Sequence, residues 1–585
     1  MKLGPVPDPV LTIRPRLQAA IAAVLGDDFG GADPVMRRSD RADYQANAAM
    51  ALAKRAGGRN PRELAEAIVA ATELSDVAAS VEVAGPGFLN ITLRDDYLAN
   101  EVEQTASDPR LSVPAAAAPE VVVIDYSSPN VAREMHVGHL RSTVIGDALA
   151  RILAFLGHDV VRHNHLGDWG TQFGMLIEHL LDLGWERSED HRIGDLNALY
   201  QAANSKFAAD DDFAERARGR VVALQGGDAT TLRVWRELVE ESERHFDEVY
   251  RRLGVLLTHD DIKPESFYNP MLDDVASELE AQGLASLDEG ALCAFPSGFT
   301  SRDGSPLALI IRKSDGGYGY QATDLAAVRH RTQDLGGQLL VYAVDARQSQ
   351  HLAMVFAVAE QAGWVGNGRR AEHVAFGTIL GPDNRPFRTR SGDTVKLAEL
   401  LDEAVERAAA VVAEKNPDLD EATRARVAHA VGIGAVKYAD LSNDRVKDYV
   451  FDWDRMLSFE GNTAPYLQYA HARIRSIFRR AEVEGVTLSE VAAVRIVEPA
   501  ERALALHLLS FHEAVQTAAE HLQPHRLATY LFELASTFTT FYESCPVLRA
   551  ETDEERQSRL VLGGLTARTL ATGLELLGIE APDRM

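Results

Sequence analysis

The stretch that decides the fold of this chain is Ser128-Pro129-Asn130-Val131-Ala132-Arg133-Glu134-Met135-His136-Val137-Gly138-His139. It follows the β-branched run Val121-Val122-Val123-Ile124 and precedes an apolar-periodic segment from Leu140 to Leu156. A buried strand that turns through a short loop into a helix is where α/β sheets bind phosphate groups. The sequence therefore predicts a βαβ unit with ATP chemistry at this turn.

Two imidazoles, His136 and His139, stand three positions apart with a side-chain-free Gly138 between them. They could bind phosphate, cap the helix or form a metal pair. A metal site would need a third ligand and a second shell, and no Cys or His cluster accompanies them, so no metal ligand is assigned. The strand before and the helix after favour phosphate binding, in which imidazoles and helix N–H groups stabilise charge on an α-phosphate.

Length and composition limit the class of protein. With 585 residues the chain is too long for one core, so roughly two to four domains are expected. No apolar run approaches the ~18–20 residues that span a bilayer, and the N-terminus lacks the apolar core of a signal peptide. The two cysteines, Cys293 and Cys545, have no metal-like spacing, which argues against a disulfide scaffold. These features predict a cytosolic protein with no membrane partner.

The net charge of −27 argues at first sight against a nucleic-acid partner. Contact with phosphate, however, requires a basic face and not a basic total. The C-terminal third carries such a local run between Arg473 and Arg480. A nucleic-acid partner therefore stays possible, while indiscriminate binding to polyanions is disfavoured.

Changes in composition and periodicity divide the chain into domains. A spacer with four alanines between Pro114 and Pro119 is the clearest boundary. After the βαβ unit, strand patterns return at residues 307–312 and 339–344. The expected division is an N-terminal α+β domain at 1–112, an α/β domain at 113–395 with a helical insertion at about 183–255, a helical connection at 396–460 and a helical domain at 461–585.

Several segments together resemble one enzyme family. The stretch from Asp125 to Thr143 resembles the "HIGH" region of class I aminoacyl-tRNA synthetases, and specifically that of arginyl-tRNA synthetases. Further similar segments follow in the family's order: His165 to Gly174, Tyr320 with Asp324-Leu325-Ala326, Asp345 to His351, and Asn462 to Ala470. The resemblance covers nearly the whole chain and is most specific in the first and last segments.

The resemblance implies a multidomain α/β fold, with a Rossmann-type parallel-sheet catalytic core, a small N-terminal α+β domain and a C-terminal all-helical bundle. It implies an arginine–tRNA ligase whose substrates are L-arginine, ATP with Mg²⁺, and arginine-specific tRNA. Arginyl-adenylate would form first, typically only with tRNA bound, and the terminal adenosine of the tRNA would then accept the arginyl group. We expect a monomer. The ATP contacts implied in the first segment are Ser127, Pro129, His136, Gly138 and His139.

The expected amino-acid pocket contains carboxylates, because a guanidinium is a planar fork of donors that pairs with them. Tyr320 and Asp324 lie one helical turn apart, so on a helix they would share a face. Spacing alone leaves Asp324 equally well explained as a helix-start aspartate; the resemblance favours arginine binding. It also implies Glu265 as a second acidic contact, which could otherwise be an exposed loop acid. Asn130 and Gln348 would hold the α-amino and carboxylate ends.

The second phosphate element departs from the class pattern. Class I synthetases usually carry a KMSKS-type loop whose lysines bind the triphosphate, but Gly381 to Gly392 contains three arginines and no lysine before Lys396. Many arginyl enzymes have such a loop and carry a lysine before the first histidine of the HIGH element. This chain has Arg133 there. Pyrophosphate contacts are therefore assigned to Arg133, which joins the histidines as a catalytic residue, and to Arg388 and Arg390. A solvated basic loop is the alternative.

The tRNA contacts are expected on a helix that starts near Pro465. Its apolar face comprises Leu467, Ala470, Ile474, Ile477 and Phe478, which leaves Arg473, Arg475 and Arg479 or Arg480 toward solvent. The resemblance makes RNA contact by Arg473 and Arg475 the favoured interpretation over a merely solvated face. Tyr466 and Tyr469 fit either a core or stacking platforms for anticodon bases. The N-terminal unit resembles the domain that touches the tRNA elbow, although its sequence shows no basic stripe.

Two other functions stay compatible with the sequence. A small-molecule nucleotidyltransferase shares an HxGH element on a similar sheet, but would not need a long helical C-terminal part. A catalytically silent RNA-binding paralogue is made plausible by the missing lysines.

Overall fold

A parallel four-stranded sheet lies at the centre of the fold. The computed structural model describes residues 8–185, 196–301, 303–388, 394–484 and 493–585. An α+β unit precedes the sheet in the chain, and helices dominate after it. This is the multidomain α/β fold predicted from the sequence, and the prediction is confirmed. Within the described residues, no helix combines the length and apolar content needed to cross a bilayer.

The N-terminal unit is built on an antiparallel sheet with the order β1-β2-β4-β3. Its strand β4 buries every second residue, as expected for a strand with one face on a core. Helix α3 begins where the sequence predicts, because the Asn60 side chain accepts a hydrogen bond from the Arg62 N–H and Pro61 occupies the first turn. The elements are α1 (Pro9–Leu25), β1 (Met36–Ser39), β2 (Ala42–Ala46), α2 (Ala48–Arg55), α3 (Pro61–Ala71), β3 (Ala78–Ala84), β4 (Phe88–Leu93) and α4 (Asp95–Ser107).

The central part alternates strands and helices. Its helices α7 to α9 fall within the segment expected as a helical insertion, whose residues 186–195 lie outside the described residues. The elements are β5 (Val121–Asp125), α5 (Val137–Phe155), β6 (Asp159–His163), α6 (Thr171–Asp182), α7 (Leu196–Ala209), α8 (Asp211–Gln225), α9 (Ala229–Leu253), α10 (Leu272–Ala281), β7 (Ala285–Asp288), β8 (Ala291–Ala294), β9 (Leu309–Arg312), α11 (Tyr320–Arg329), β10 (Leu339–Tyr342), α12 (Ser349–Gln361) and β11 (Arg370–His373).

The parallel sheet has the order β11-β10-β5-β6 and is covered on both faces. Val122 and Ile124 of β5 pack into the core that contains α5. Val123, which points the other way, joins Leu340 and Tyr342 in a second core with α10, α11 and α12. Burial on both faces explains why this strand is a continuous β-branched run and does not alternate with polar residues.

Helix α5 runs through the middle of the molecule, one turn longer at its start than the predicted segment. It is buried on nearly all sides, including its polar residues Arg141 and Asp147, which form ion pairs with Asp440 and Arg151. Gly146 is required here, since a Cβ at that position would lie 2.2 Å from the Tyr126 Cβ. Gly157 follows the helix with φ +89°, a left-handed conformation that favours glycine.

The strand pattern at residues 307–312 does not belong to the parallel sheet. It yields β9, which pairs with β8 in a separate antiparallel sheet of order β7-β8-β9. The short strands β7 and β8 were not predicted. They are four residues each, too short for the alternation of apolar and polar residues to stand out.

The C-terminal part is helical, and its core is continuous with that of the sheet and of the N-terminal unit. Helix α14 contacts α5 as well as α16, and so joins α5 to the C-terminal bundle. The elements are β12 (Ile379–Leu380), α13 (Leu397–Lys415), α14 (Glu421–Leu441), β13 (Tyr449–Val450), α15 (Trp453–Met456), α16 (Ala464–Val483), α17 (Pro499–Leu508), α18 (Phe511–Glu520), α19 (His525–Ser544) and α20 (Asp553–Leu576).

Candidate active site

Charged side chains meet at the carboxyl edge of the parallel sheet. The register places Tyr342, Asp125 and His163 side by side at the ends of β10, β5 and β6. The buried Arg331 donates from Nη2 to Asp125 Oδ2 at 2.8 Å and from Nε to His163 Nδ1 at 3.2 Å. Burial alone would raise the pKa of Asp125, but the charges of Arg331 and His165, together with hydrogen bonds from Ser128 and Arg331, hold that pKa below its usual value. This edge is where open α/β sheets bind ligands.

The loop after β5 is held in a strained shape by buried hydrogen bonds. Ser127 and Ser128 have φ values of +73° and +47°, which non-glycine residues adopt at a cost. The Ser128 hydroxyl donates to Asp125 Oδ1 at 2.8 Å, and its N–H donates to Asn164 Oδ1 at 3.0 Å. The Ser127 hydroxyl pairs with the Tyr250 hydroxyl at 2.7 Å. A loop fixed by so many contacts presents its following residues in one geometry.

The two histidines lie together at the start of α5, with ring centroids 4.0 Å apart. His136 Nδ1 accepts the Gly138 N–H at 3.0 Å, and His139 Nδ1 accepts the His136 N–H at 3.1 Å. Each ring is therefore neutral, with its proton on Nε2. Burial lowers the pKa of both, that of His139 to about 3. Both rings stay partly exposed, so the capping and phosphate-binding interpretations are compatible: Nδ1 caps the helix and Nε2–H remains as a donor.

The first-turn amides of α5, in contrast, are already paired. The Val137 N–H donates to the Val395 carbonyl at 3.0 Å and the His139 N–H to the His136 carbonyl at 2.8 Å, while Gly138 donates to the ring of His136. The expectation that helix N–H groups would contact phosphate together with the imidazoles is therefore wrong for these amides. Gly138 is still required, because a Cβ there would lie 2.7 Å from His136 Cε1.

Arg133 and Arg347 flank the histidines from two segments. Both positive charges lower the pKa of His136, after the larger effect of its burial. The Arg133 guanidinium lies over the Tyr200 ring of α7 at 4.0 Å from its centroid. Arg347 forms a two-bond ion pair with Asp345, at 2.9 and 2.7 Å. Two exposed guanidinium groups are thus near enough for their charges to act on the His136 ring.

Lys396 lies beside the first histidine as well. Its backbone forms an antiparallel bridge with that of His136, so the segment that follows the loop 381–392 runs alongside the stretch from Ser128 to His139. Its Nζ forms an ion pair with Glu134 Oε2 at 2.8 Å. In sequence, Lys396 comes too late for a KMSKS-type loop. In space, it is next to the stretch from Ser128 to His139.

The second loop leaves β12 and returns in a hairpin. The Gly381 N–H donates to the Arg385 carbonyl at 2.7 Å, and the Phe387 ring stacks on Phe451 with centroids 4.8 Å apart. Arg388 is exposed, and its backbone bridges to Thr394. Arg390 lies outside the described residues. The predicted pyrophosphate role of both arginines stays a prediction.

Tyr320 and Asp324 share a face of α11, as their spacing predicts. Asp324 Oδ2 lies 2.6 Å from Nε2 of His351, at the start of α12. The rings of Tyr320 and His351 meet edge to face, with centroids 5.0 Å apart. Asp324 is thus not a helix-start cap: Gly319 precedes the helix, and the carboxylate is held by a neighbouring helix.

Glu265 lines a cavity of about 420 Å³ beside this helix, together with Tyr320, Trp169 and Lys313. It is half-buried and not an exposed loop acid. Burial raises the pKa of Glu265 to about 8, with further contributions from the charges of Asp168 and Asp324. Carboxylates that are desolvated and repel one another favour a cation between them. A guanidinium has the charge and the donors for that position.

Asn130, Pro129 and Gln348 lie at the same sheet edge. The Asn130 side chain covers Gly167, where a Cβ would lie 2.1 Å from its Oδ1, and the Pro129 carbonyl accepts the Gly167 N–H at 3.2 Å. Gln348 is exposed in the turn that precedes α12. The structure therefore puts both amides near the carboxyl ends of β5 and β10, without a direct contact between them and the acidic pair.

Comparison with known proteins identifies the family. The model of the class I tRNA synthetase (R) catalytic domain matches residues 101–453, well over half of the chain. A curated arginine–tRNA ligase of Thermobifida fusca is 56% identical over 579 residues, which cover 99% of this chain and 100% of that one. The chain belongs to the arginyl-tRNA synthetase family.

The remaining similarities agree with this family. The arginyl-tRNA synthetase N-terminal domain matches residues 12–93, and the DALR anticodon-binding domain matches residues 467–585. The arginyl-tRNA synthetase structure of Plasmodium falciparum superposes with a TM-score of 0.85 at 29% identity, covering 98% of each chain. That of Thermus thermophilus gives 0.79 at 30% identity, covering 98% of this chain and 100% of that one. The predicted family is confirmed.

In the segment matching the DALR domain, the chain's last residues cover part of the basic face of α16. Its predicted apolar face is buried. Arg475 forms an ion pair with Asp583 at 3.0 Å, and Arg479 donates to the Asp583 carbonyl at 3.0 Å. Arg473 lies over the Tyr542 ring at 4.3 Å. Arg475 is exposed, as predicted, whereas Arg473 and Arg479 are half-buried, so the expectation that all three lie toward solvent is wrong for those two.

The two tyrosines of this helix differ in environment. Tyr466 is half-buried against the Phe532 ring, with centroids 5.8 Å apart. Tyr469 is 45% exposed beside Phe459. Tyr466 thus fits the core interpretation, and Tyr469 keeps a ring face available for stacking.

Three residues of this candidate site were not singled out from the sequence. His351 and Arg347 lie in the quoted segment Asp345 to His351, so their position was available but their partners were not. Lys396 was noticed only as a lysine that comes too late. Its proximity to His136 depends on strand-like pairing across 260 positions of sequence, which no local pattern reveals.

Proposed function

We propose that this protein is an arginine–tRNA ligase, which activates L-arginine with ATP and transfers it to the 3′-terminal adenosine of its tRNA. Membership of the family supports this function. The observation that carries it in the structure is the acidic pair Glu265 and Asp324 at the same sheet edge as the two neutral histidines, where burial and the charge of Asp324 raise the pKa of Glu265. The two carboxyl groups fit a cationic amino acid, and the two histidines fit a polyphosphate.

In the first step, the guanidinium of arginine binds between Asp324 and Glu265, with Tyr320 against it. Asn130 and Gln348 hold the α-amino and carboxylate ends. A carboxylate oxygen of arginine attacks the α-phosphorus of ATP, and the bond to the β-phosphate oxygen breaks, so pyrophosphate leaves with its Mg²⁺. The Nε2–H groups of His136 and His139 donate to the α-phosphate oxygens as their charge develops.

The triphosphate needs positive charge where pyrophosphate leaves. In the scheme drawn from the sequence, this charge comes from Arg133, Arg388 and Arg390. Two further cations lie near His136: Lys396, whose backbone bridges to it, and Arg347, whose charge lowers its pKa. Ser127, Pro129 and Gly138 shape the nucleotide side of this site. Lys396 lies next to the stretch from Ser128 to His139. Its position weakens the argument for a catalytically silent paralogue, because that argument rested on missing lysines.

In the second step, the 2′-hydroxyl of the terminal adenosine attacks the carbonyl carbon of arginyl-adenylate, and AMP leaves. The match to an anticodon-binding domain supports tRNA contact by the helical domain at 461–585, with Arg473, Arg475, Tyr466 and Tyr469 as candidates. The domain at 1–112 would contact another part of the tRNA. The domain at 113–395, which includes the insertion at about 183–255, would carry catalysis. The helical connection at 396–460 would join it to the helical domain.

The same proposal includes a monomeric, cytosolic protein. Cys293 and Cys545 are both buried as free thiols, which is compatible with a reducing compartment. Each domain is joined to the others by buried contacts of its own chain. Elution of the purified protein at about twice its monomer mass would contradict the monomer.

The test is ATP–pyrophosphate exchange with arginine, with lysine as a second cationic amino acid, each with and without arginine-specific tRNA. We expect exchange with arginine plus its tRNA and none with lysine. Transfer of labelled arginine to the 3′ end of intact tRNA, but not to tRNA with an oxidised terminal ribose, tests the second step. No exchange with arginine and its tRNA together would overturn the proposed function.

A further inference from the structure

The arginine pocket contains a histidine that has no role in the scheme above. His351 stands at the start of α12, and its Nε2 lies 2.6 Å from Oδ2 of Asp324 on α11. The imidazole is half-buried, with 16% of its side chain exposed, and Asp324 has 23% exposed. A short contact between two groups of this burial is a fixed contact and not a chance surface pairing.

The contact ties together two helices that carry different parts of the pocket. Tyr320 begins α11 and packs edge to face on the His351 ring, at 5.0 Å between centroids. Gln348 immediately precedes α12. The charge of Asp324 also reaches Glu265, whose pKa it helps to raise. His351 is therefore in contact with both Tyr320 and Asp324, and three positions from Gln348.

A carboxylate that must receive a planar guanidinium has to be held in one orientation, since a bidentate pair is sensitive to the rotation of the carboxylate. The Nε2–H of His351 reaches only Oδ2 of Asp324. A carboxylate has about four lone-pair sites, so Oδ1 and the second lone pair of Oδ2 stay available. One donor fixes the plane of the carboxylate, and the open lone pairs receive the substrate.

We infer that His351 is the positioning residue for arginine recognition: its Nε2–H orients the Asp324 carboxylate toward the guanidinium. This inference rests on the proposed function. The effect falls on arginine binding and not on the chemical step, because His351 contacts Asp324 and Tyr320 and not the histidine pair that faces the triphosphate.

The test measures KM for arginine, KM for ATP and kcat in tRNA charging, with wild-type protein, His351→Phe and His351→Gln. Phenylalanine keeps a ring against Tyr320 and lacks the donor, so we expect KM for arginine to rise about tenfold, the effect of losing one hydrogen bond to a charged group. We expect KM for ATP and kcat to stay within about twofold. Glutamine places an amide N–H the same number of bonds from Cβ as Nε2, so it should restore most of the arginine affinity.

A matched control is His259→Phe. That histidine also pairs with a carboxylate, Glu243 of α9, at 3.2 Å, but it is exposed and follows the insertion in sequence. We expect its kinetic constants to match those of the wild type. If His351→Phe does not fold, as judged by its thermal transition, His351→Gln compared with His351→Leu gives the same contrast.

Two results overturn the inference. One is an unchanged KM for arginine in a folded variant without the donor. The other is an equal loss in His351→Gln and His351→Phe, which would mean that ring shape alone matters. A wild-type protein that fails to charge tRNA with arginine would instead remove the proposed function, so the two failures are distinguishable.

Discussion

At the scale of single residues, the proposed arginine pocket depends on the charge of Asp324 to select its amino acid. Asn at this position keeps the size and one acceptor oxygen but removes the charge that pairs with a guanidinium. We expect Asp324→Asn to weaken arginine binding by about 1.5–3 kcal/mol, the range for a hydrogen bond to a charged group. KM for arginine in ATP–pyrophosphate exchange with tRNA measures this. Asp334→Asn, which removes an exposed carboxylate paired with His330, is the control; a KM unchanged in both would remove Asp324 from the pocket.

The proposed role of Glu265 predicts that arginine binding depends on pH. With a pKa of about 8 in the empty pocket, its carboxyl group is mostly protonated at neutral pH, whereas a bound guanidinium requires the carboxylate. Arginine binding therefore releases a proton below that pKa, and KM for arginine falls by up to about tenfold per pH unit as the pH rises toward 8. Glu265→Gln should have a high KM without this pH dependence, and the exposed Glu280→Gln should keep the wild-type profile. A flat wild-type profile between about pH 6 and 8 would contradict this role.

At the scale of elements, a buried ion pair fixes α5 against α14. Arg141 follows the histidine pair in sequence and lies 3.1 Å from Asp440, and both side chains are almost fully buried. Asp440→Asn leaves a buried guanidinium without its counter-charge, so we expect a loss of about 3–5 kcal/mol in the free energy of unfolding. Urea unfolding measures this loss. Glu403→Gln, from an exposed pair with Arg407 on α13, should cost less than about 0.5 kcal/mol. Similar losses of unfolding free energy in the two variants would mean that the buried Arg141–Asp440 pair stabilises the fold no more than an exposed pair does.

The sequence predicts elements whose causes are local, and misses contacts between distant segments. The strand at Val121, the cap at Asn60 and the shared face of Tyr320 and Asp324 follow from neighbouring residues, and the structure has all three. The contacts of His351 with Asp324 and of Arg141 with Asp440 could not be predicted, because each depends on how separate helices pack. The acidic members of the arginine pocket thus stay predictions drawn from the family resemblance, whereas the contact between His351 and Asp324 had no signal in the sequence.

At the scale of the whole molecule, the N-terminal unit is bound to the C-terminal helices and not only to the spacer that follows it. Arg502 of α17 donates to Asp43 Oδ1 at 3.0 Å and to the Leu93 carbonyl at 2.7 Å, and it also pairs with Asp95. His512 of α18 pairs with the buried Asp8 at 3.0 Å. Two regions that lie more than 400 positions apart in sequence thus form one interface, and a tRNA that bound both would meet them in a fixed relative position.

Removing Arg502 should loosen this interface without unfolding either side. Arg502→Ala leaves the buried Asp43 without its counter-charge, so we expect more frequent separation of the N-terminal unit, a local opening that needs less free energy than global unfolding. The spacer between Asp108 and Pro119 then becomes accessible, and limited proteolysis should release an N-terminal fragment about tenfold faster than from the wild type. Arg495→Ala removes an exposed pair with Glu554 from the neighbouring segment and should cleave at the wild-type rate. Equal rates for all three proteins would mean that apolar packing alone holds the unit, and that the charges at the interface set only its orientation.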